Sequence, residues 1–195
     1  MIHAVVFDLD GVIRNFPESA TADIEIEYGL KSGTLNAVAF DPALLELLTT
    51  GKISRLTWIK EIGQRVGSTE SADAWGRIEP VVDHDVLQLI DDLQHAGITT
   101  AILTNGNDTI DIELERQGIA AHVAHVFNSA KIGYSKPDRR AFLHVIDALH
   151  LRASEILFTD DSAAKLLGAT RLGIHTHHLA SASALRAILT ERGDL

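Results

Sequence analysis

Two aspartates spaced two apart, Asp8 and Asp10, close the apolar run Val5-Val6-Phe7 near the start of the chain, and Gly11 follows them. On a strand, residues i and i+2 point to one side. The two carboxylates are therefore expected to converge where the strand runs out, while Gly11 lets the backbone turn away. Like charges that close are costly unless a divalent cation sits among hard oxygen ligands or a proton is shared between them. Both remedies are catalytic devices. A helix cap or an Asx-turn accounts for one such aspartate and poorly for two.

Three further segments end in polar groups. Leu103-Thr104-Asn105-Gly106 stops an apolar run at a hydroxyl and a glycine-containing turn, whose N–H groups can be aimed at an anion. Ser135-Lys136-Pro137-Asp138 sets a lysine just before an expected helix N-terminus, where the ammonium and the helix end both favour negative charge. Phe158-Thr159-Asp160-Asp161-Ser162 ends another apolar run in paired carboxylates. Each segment alone also reads as a turn, an exposed charge or a helix cap. The four in this order read as one reaction site.

The elements that must position these groups follow from periodicity. Besides the first strand, residues 98–103, 155–159 and 173–177 are expected strands, with a weaker one at 125–128. Residues 85–96 place Val86, Leu89, Ile90 and Leu93 at helical spacing, ended by Gly97. Residues 137–149 repeat the pattern with Phe142, Val145, Ile146 and Leu149, and Pro137 suits a first turn. Alternating strand and helix predicts an α/β fold with a parallel sheet covered on both faces, which binds ligands beyond the carboxyl ends of its strands. Between residues 15 and 81 only helices are expected, one starting at Asp41-Pro42 and another at Ser54. This stretch reads as an inserted helical cap.

The order Asp8-x-Asp10-Gly11-Val12, Thr104, Lys136-Pro137, Asp160-Asp161-Ser162 resembles the haloacid dehalogenase-like hydrolase superfamily over nearly the whole chain. Within it, the Asp-Asp pair and Gly168-Ala169-x-x-x-Gly173 resemble the branch holding sugar-phosphate phosphatases and a phosphoglucomutase. The resemblance implies a Rossmann-like doubly wound core at residues 1–14 and 82–195 and a small helical cap at residues 15–81. It implies Asp8 as a nucleophile that forms an aspartyl-phosphate, and Asp10 as general acid, then base. Mg²⁺ would be held by the Asp8 side chain, the Asp10 backbone carbonyl and Asp161, with Asp160 a direct or water-mediated ligand. Thr104, the Asn105 amide and Lys136 would hold the phosphoryl oxygens. The expected activity is hydrolysis of a small phosphate monoester; a phosphomutase of the same chemistry, or a weakly active or inactive binding or regulatory protein, are the alternatives. One departure is Lys165, where this branch commonly has Asn. One helical turn beyond Asp161, it can reach the carboxylates or point to solvent.

Bulk properties narrow the field. The chain has 195 residues, 46% hydrophobic, with 17 basic against 27 acidic side chains, a net charge of −10. That is room for one domain with an insertion. The balance disfavours a nucleic-acid partner, since phosphate backbones are held by clustered Lys and Arg. No apolar stretch approaches the roughly 20 residues that span a bilayer. The absence of cysteine and of a signal-peptide pattern at Met1-Ile2-His3-Ala4 leads to an expected cytoplasmic setting. Monomer and homodimer are both left open. His175, His177 and His178, and the pair His122 and His125, are read as structural or surface groups rather than a metal site. Trp58 and Trp75 are read as packing residues of the cap, with Trp58, Lys52 or Arg55 the ones that would reach substrate. Asn15 and Phe16 are candidate hinge residues, and Asp91-Asp92 is read as a solvated helix face.

Overall fold

The computed structural model covers residues 1–195. Strand β1 (Ala4–Phe7) is followed by the short strand β2 (Arg14–Asn15) and five helices, α1 (Ala20–Glu27), α2 (Thr34–Ala39), α3 (Pro42–Thr49), α4 (Arg55–Val66) and α5 (Thr69–Gly76). Strand β3 (Val81–Val82) then returns to pair antiparallel with β2. Strands and helices alternate from there: α6 (His84–His95), β4 (Thr99–Thr104), α7 (Ile110–Arg116), β5 (His125–Asn128), α8 (Ser129–Ile132), α9 (Arg139–Leu149), β6 (Ile156–Asp160), α10 (Ala163–Arg171), β7 (His175–His178) and α11 (Ala182–Glu191).

The five longer-range strands make one parallel sheet in the order β5-β4-β1-β6-β7, with β1 at its centre. Successive side chains of β1 enter opposite layers, as the pleat requires. Val5 and Phe7 join Ile90, Leu93 and Leu189 on one face. Ala4 and Val6 join Phe142, Val145 and Ala169 on the other. A central parallel strand buried on both sides is apolar throughout, which explains why Ala4–Phe7 shows no alternation. Helices α1 to α5 pack round a separate apolar cluster that includes Leu35, Leu44, Leu48, Trp58 and Ile62. No helix is long and apolar enough to cross a membrane.

Local signals place several ends as expected. Asp41 caps α3 through the Leu44 N–H at 3.1 Å, with Pro42 in the first turn. Ser54 caps α4 through the Thr57 N–H at 3.1 Å. Other expectations are corrected. Pro137 lies ahead of α9, because Asp138 is the cap and accepts from the Arg140 N–H at 2.9 Å. The reading of residues 15–81 as helices alone misses the β2–β3 ribbon, which is too short for a periodic signal. Asp91 and Asp92 are paired rather than merely solvated, Asp91 with His122 at 2.7 Å and Asp92 with Arg186 of α11.

Phe142 of α9 meets Phe158 of β6 edge to face, with ring centroids 5.2 Å apart, and both are almost fully buried. Phe142→Ala is expected to lower unfolding stability by about 3–5 kcal/mol. Urea denaturation measures it, and a cost under about 1 kcal/mol would show this helix–sheet contact to be dispensable.

Candidate active site

Three strands of the sheet deliver the site at their carboxyl ends. Asp8 directly follows β1, Thr104 closes β4 and Asp160 closes β6. β1 and β6 flank the point where the chain's crossovers change direction, the position at which such sheets bind ligands.

Asp8 is buried, and two ammonium groups hold its carboxylate. Lys136 Nζ lies 2.8 Å from Oδ1, and Lys165 Nζ lies 2.9 Å from Oδ2. Lys136 also donates to Asp160 Oδ2 at 2.8 Å and is itself fully buried. The Phe158 ring lies beneath that ammonium, 5.0 Å from its centroid, and supports it by cation–π attraction. Asn105 fixes the backbone of the same lysine from both sides: its Nδ2 donates to the Lys136 carbonyl at 2.9 Å, and its Oδ1 accepts from the Lys136 N–H at 2.7 Å. With its side chain so engaged, Asn105 has only its backbone N–H to offer an anion, and that N–H is in no backbone hydrogen bond.

Electrostatics separates the carboxylates. Burial pushes the Asp8 carboxyl up, but the ammonium groups of Lys136 and Lys165 outweigh it and hold the group below its ordinary range. An ion pair near 4 Å is worth about 4 kcal/mol at an effective dielectric of about 20. Two such pairs keep Asp8 ionised. Asp160 is buried too, and faces the Asp8 charge with Lys136 shared; burial and that charge push it up to about 6. Its Oδ1 accepts from the Ser162 N–H at 2.9 Å.

Asp8, Asp160 and Asp161 each place a carboxylate oxygen within 4.8 Å of the others, close enough to hold one hard cation. No histidine joins this group. His178 Nε2 instead meets the Asp161 carbonyl at 2.7 Å, and His177 Nδ1 meets the Thr159 hydroxyl at 3.3 Å. Gly11 (φ +90°) packs so close to Asp161 that a Cβ there would collide with its carboxylate.

The Asp10 carboxylate stands apart from the cluster. Strand β1 ends at Phe7, and the turn at residues 9–14 sends Asp10 toward the opposite wall, where its Oδ1 accepts from Arg14 Nε at 2.6 Å. Neither a cation gripped by both side chains nor a proton shared by the pair describes this geometry. Surrounding protein raises the Asp10 carboxyl above its usual range against the pull of Arg14, with Asp8 and Glu113 adding to the rise. Arg14 and Glu113 escape sequence reasoning. Arg14 is 2% exposed and also meets Glu113 Oε2 and Gln117 Oε1, each at 3.0 Å. The available signal was a lone arginine four residues after Asp10, next to the buried Val12 and Ile13.

Lys165 points into the cluster rather than to solvent, also lying 3.7 Å from Asp160 Oδ1 and 3.8 Å from Asp161 Oδ1. Of the cap candidates, Trp58 and Arg55 line the cavity above Asp10, whereas Lys52 is exposed on the surface near Glu46. Trp75 also lines it, so both tryptophans pack and present a wall. The helical layer is seated on the sheet by the Arg55 N–H, which donates to Asp108 Oδ1 at 2.6 Å, and by Gly51 against the Ala130 carbonyl.

A family model described as haloacid dehalogenase-like hydrolase matches residues 2–173. The chain belongs to the haloacid dehalogenase-like hydrolases. This hydrolase is 28% identical over 192 residues to the phosphatase MT3486 of Mycobacterium tuberculosis, covering 90% of this chain and 86% of that protein. Over 95 residues, 48% of this chain and 43% of the other, it is 33% identical to the GMP/IMP nucleotidase YrfG of Escherichia coli. Among solved structures, an HAD-like family hydrolase from Porphyromonas gingivalis is similar with a TM-score of 0.76 and 25% identity, covering 97% of this chain and 98% of that one. The HAD family enzyme BT-2542 of Bacteroides thetaiotaomicron, solved with magnesium and inorganic phosphate, shares the fold with a TM-score of 0.74 and 21% identity, covering 91% of this chain and 93% of that one.

The Lys165 ammonium competes with any cation for the same three carboxylates. Lys165→Asn is expected to tighten Mg²⁺ binding by roughly tenfold, equivalent to about 1.4 kcal/mol, as read by titration calorimetry. Weaker binding in the variant would show instead that the ammonium holds the carboxylates in place for the metal.

Proposed function

We propose that this hydrolase is a Mg²⁺-dependent phosphatase that cleaves small phosphate monoesters through a phosphorylated Asp8. The observation that carries the reading is an ionised, buried carboxylate at the carboxyl end of the central strand, flanked by two ammonium groups and a second pair of carboxylates. A phosphatase name for a relative spanning most of the chain, and magnesium with phosphate in BT-2542, support it.

In the first step an Asp8 oxygen attacks phosphorus, the P–O bond to the leaving group breaks, and Asp10 gives its proton to the departing oxygen. The raised pKa of Asp10 favours the protonated form that this step needs. Arg14 orients the Asp10 carboxyl toward the cavity. In the second step water attacks phosphorus, Asp10 takes the water's proton, the bond from phosphorus to Asp8 breaks and inorganic phosphate leaves. Lys136, the Thr104 hydroxyl and the Asn105 N–H hold the equatorial oxygens, where charge stabilisation carries most of the catalysis. Asp8, Asp161, Asp160 and the Asp10 carbonyl would hold Mg²⁺, which would supply further neutralisation of phosphoryl charge. No backbone hydrogen bond uses the Asp10 carbonyl, which suits it as a ligand.

We assign residues 1–14 and 82–195 to the catalytic core and residues 15–81 to a cap that excludes water. The β2–β3 ribbon, with Asn15 at its end and Phe16 just beyond, serves as the joint between them.

A screen of phosphate monoesters with Mg²⁺ tests the proposal. Phosphate release is expected from the wild-type protein, lost on chelation and lowered on the order of a thousandfold or more in Asp8→Asn. Hydrolysis that survives this substitution unchanged would remove Asp8 from the mechanism.

A further inference from the structure

A cavity of about 390 Å³ lies between the helical layer and the sheet, with Asp10 and Asn105 on its floor. Its size suits a leaving group well beyond two or three carbons. Four aromatic side chains, Phe16, Phe40, Trp58 and Trp75, form much of its wall. Trp58 and Trp75 meet edge to face at 5.2 Å, and Phe40 meets Trp75 in the same way at 6.2 Å. Both indole N–H groups are already used within the helical layer, Trp58 Nε1 donating to the Ala39 carbonyl at 3.2 Å and Trp75 Nε1 to the Thr21 hydroxyl at 3.1 Å. What the wall offers an occupant is ring surface, chiefly that of the half-exposed Phe16 and Phe40 and of the partly exposed Trp75, with the buried Trp58 behind it.

The charged residues of the wall are matched among themselves. Arg14 is taken by Asp10 and Glu113. Arg55 donates to the Gly76 carbonyl and has Glu113 at 3.9 Å. Arg116 pairs with Glu79 at 2.6 Å. A further carboxylate, Glu18, lines the cavity without a cation. A second phosphate entering here would give up its hydration, meet no unpaired cation and face the unpaired carboxylate of Glu18.

We infer that the substrate is a monophosphate ester whose leaving group is uncharged and carries a flat ring. The inference rests on the phosphatase reading for the phosphoryl end and on the cavity wall for the rest. Stacking of a flat ring on aromatic side chains is the attraction this wall is built to give. Sugar bisphosphates and short polyol phosphates leave it unused.

Trp58 and Trp75 are the only tryptophans in the chain, so intrinsic fluorescence reports occupancy of this cavity directly. The Asp8→Asn protein, with Mg²⁺, is titrated with phenyl phosphate, a purine nucleoside monophosphate, glycerol phosphate, a hexose monophosphate, a hexose bisphosphate and inorganic phosphate. At least one of the two ring-bearing esters is expected to change the emission and bind roughly tenfold more tightly than glycerol phosphate. Which of them does so separates a nucleoside from a simple aryl group. The bisphosphate is expected to bind no more tightly than inorganic phosphate. Phe40→Ala, at a half-exposed ring, is expected to weaken the ring-bearing esters several-fold and leave inorganic phosphate unchanged. Should Asp8→Asn fold poorly, wild-type protein with benzylphosphonate against propylphosphonate gives the same comparison, because their P–C bonds resist hydrolysis. Equal or tighter binding of glycerol phosphate, the hexose monophosphate or the bisphosphate would overturn the inference. Ring preference without turnover of any ester by the wild type would overturn the phosphatase reading alone.

Discussion

A carboxylate removed from water stays ionised when cations stand at contact distance, and Asp8 has two. Burial alone pushes its pKa up; Lys136 and Lys165 outweigh that and hold it below the ordinary range. Much of the architecture serves this arrangement. The parallel sheet brings residues 8, 136, 160 and 165 together across more than half of the chain. Asn105 clamps the Lys136 backbone, and the Phe158 ring lies under its ammonium. Phe158 is in turn held by Phe142 in the layer below.

The same burial gives two neighbouring aspartates different characters. Asp8 is kept charged by lysines, while Asp10, two residues on, is turned away from the cluster, bonded to Arg14 and pushed toward protonation. A nucleophile must be ionised and a general acid must not. The turn at residues 9–14, with Gly11 at positive φ against Asp161, creates that separation.

Much of this was legible in the sequence because it is carried by local pattern. The apolar run of β1, the stripe of α9 and the caps at Asp41 and Ser54 are short-range signals; three of the four polar segments stand at strand tips, and the fourth, with Lys136, lies between α8 and α9. What the sequence hid is non-local. Arg14 is an unremarkable charge until the fold shows it buried and reaching Glu113 and Gln117, some 100 residues away. Lys165 could face solvent or the site, and helix phase relative to β1 decides it. The β2–β3 ribbon is two residues per strand, below any periodic signal. Pro137 suited a helix start by type, yet Asp138 caps the helix one residue later.

Asp8 is the group proposed to take the phosphoryl. Acid quenching of the wild-type protein during turnover, followed by peptide mass mapping, tests this directly. A phosphoryl adduct on the peptide containing Asp8, labile to hydroxylamine as an acyl phosphate is, is the result the account predicts. Turnover with no adduct trapped on any peptide, or with the adduct on another residue, would contradict it.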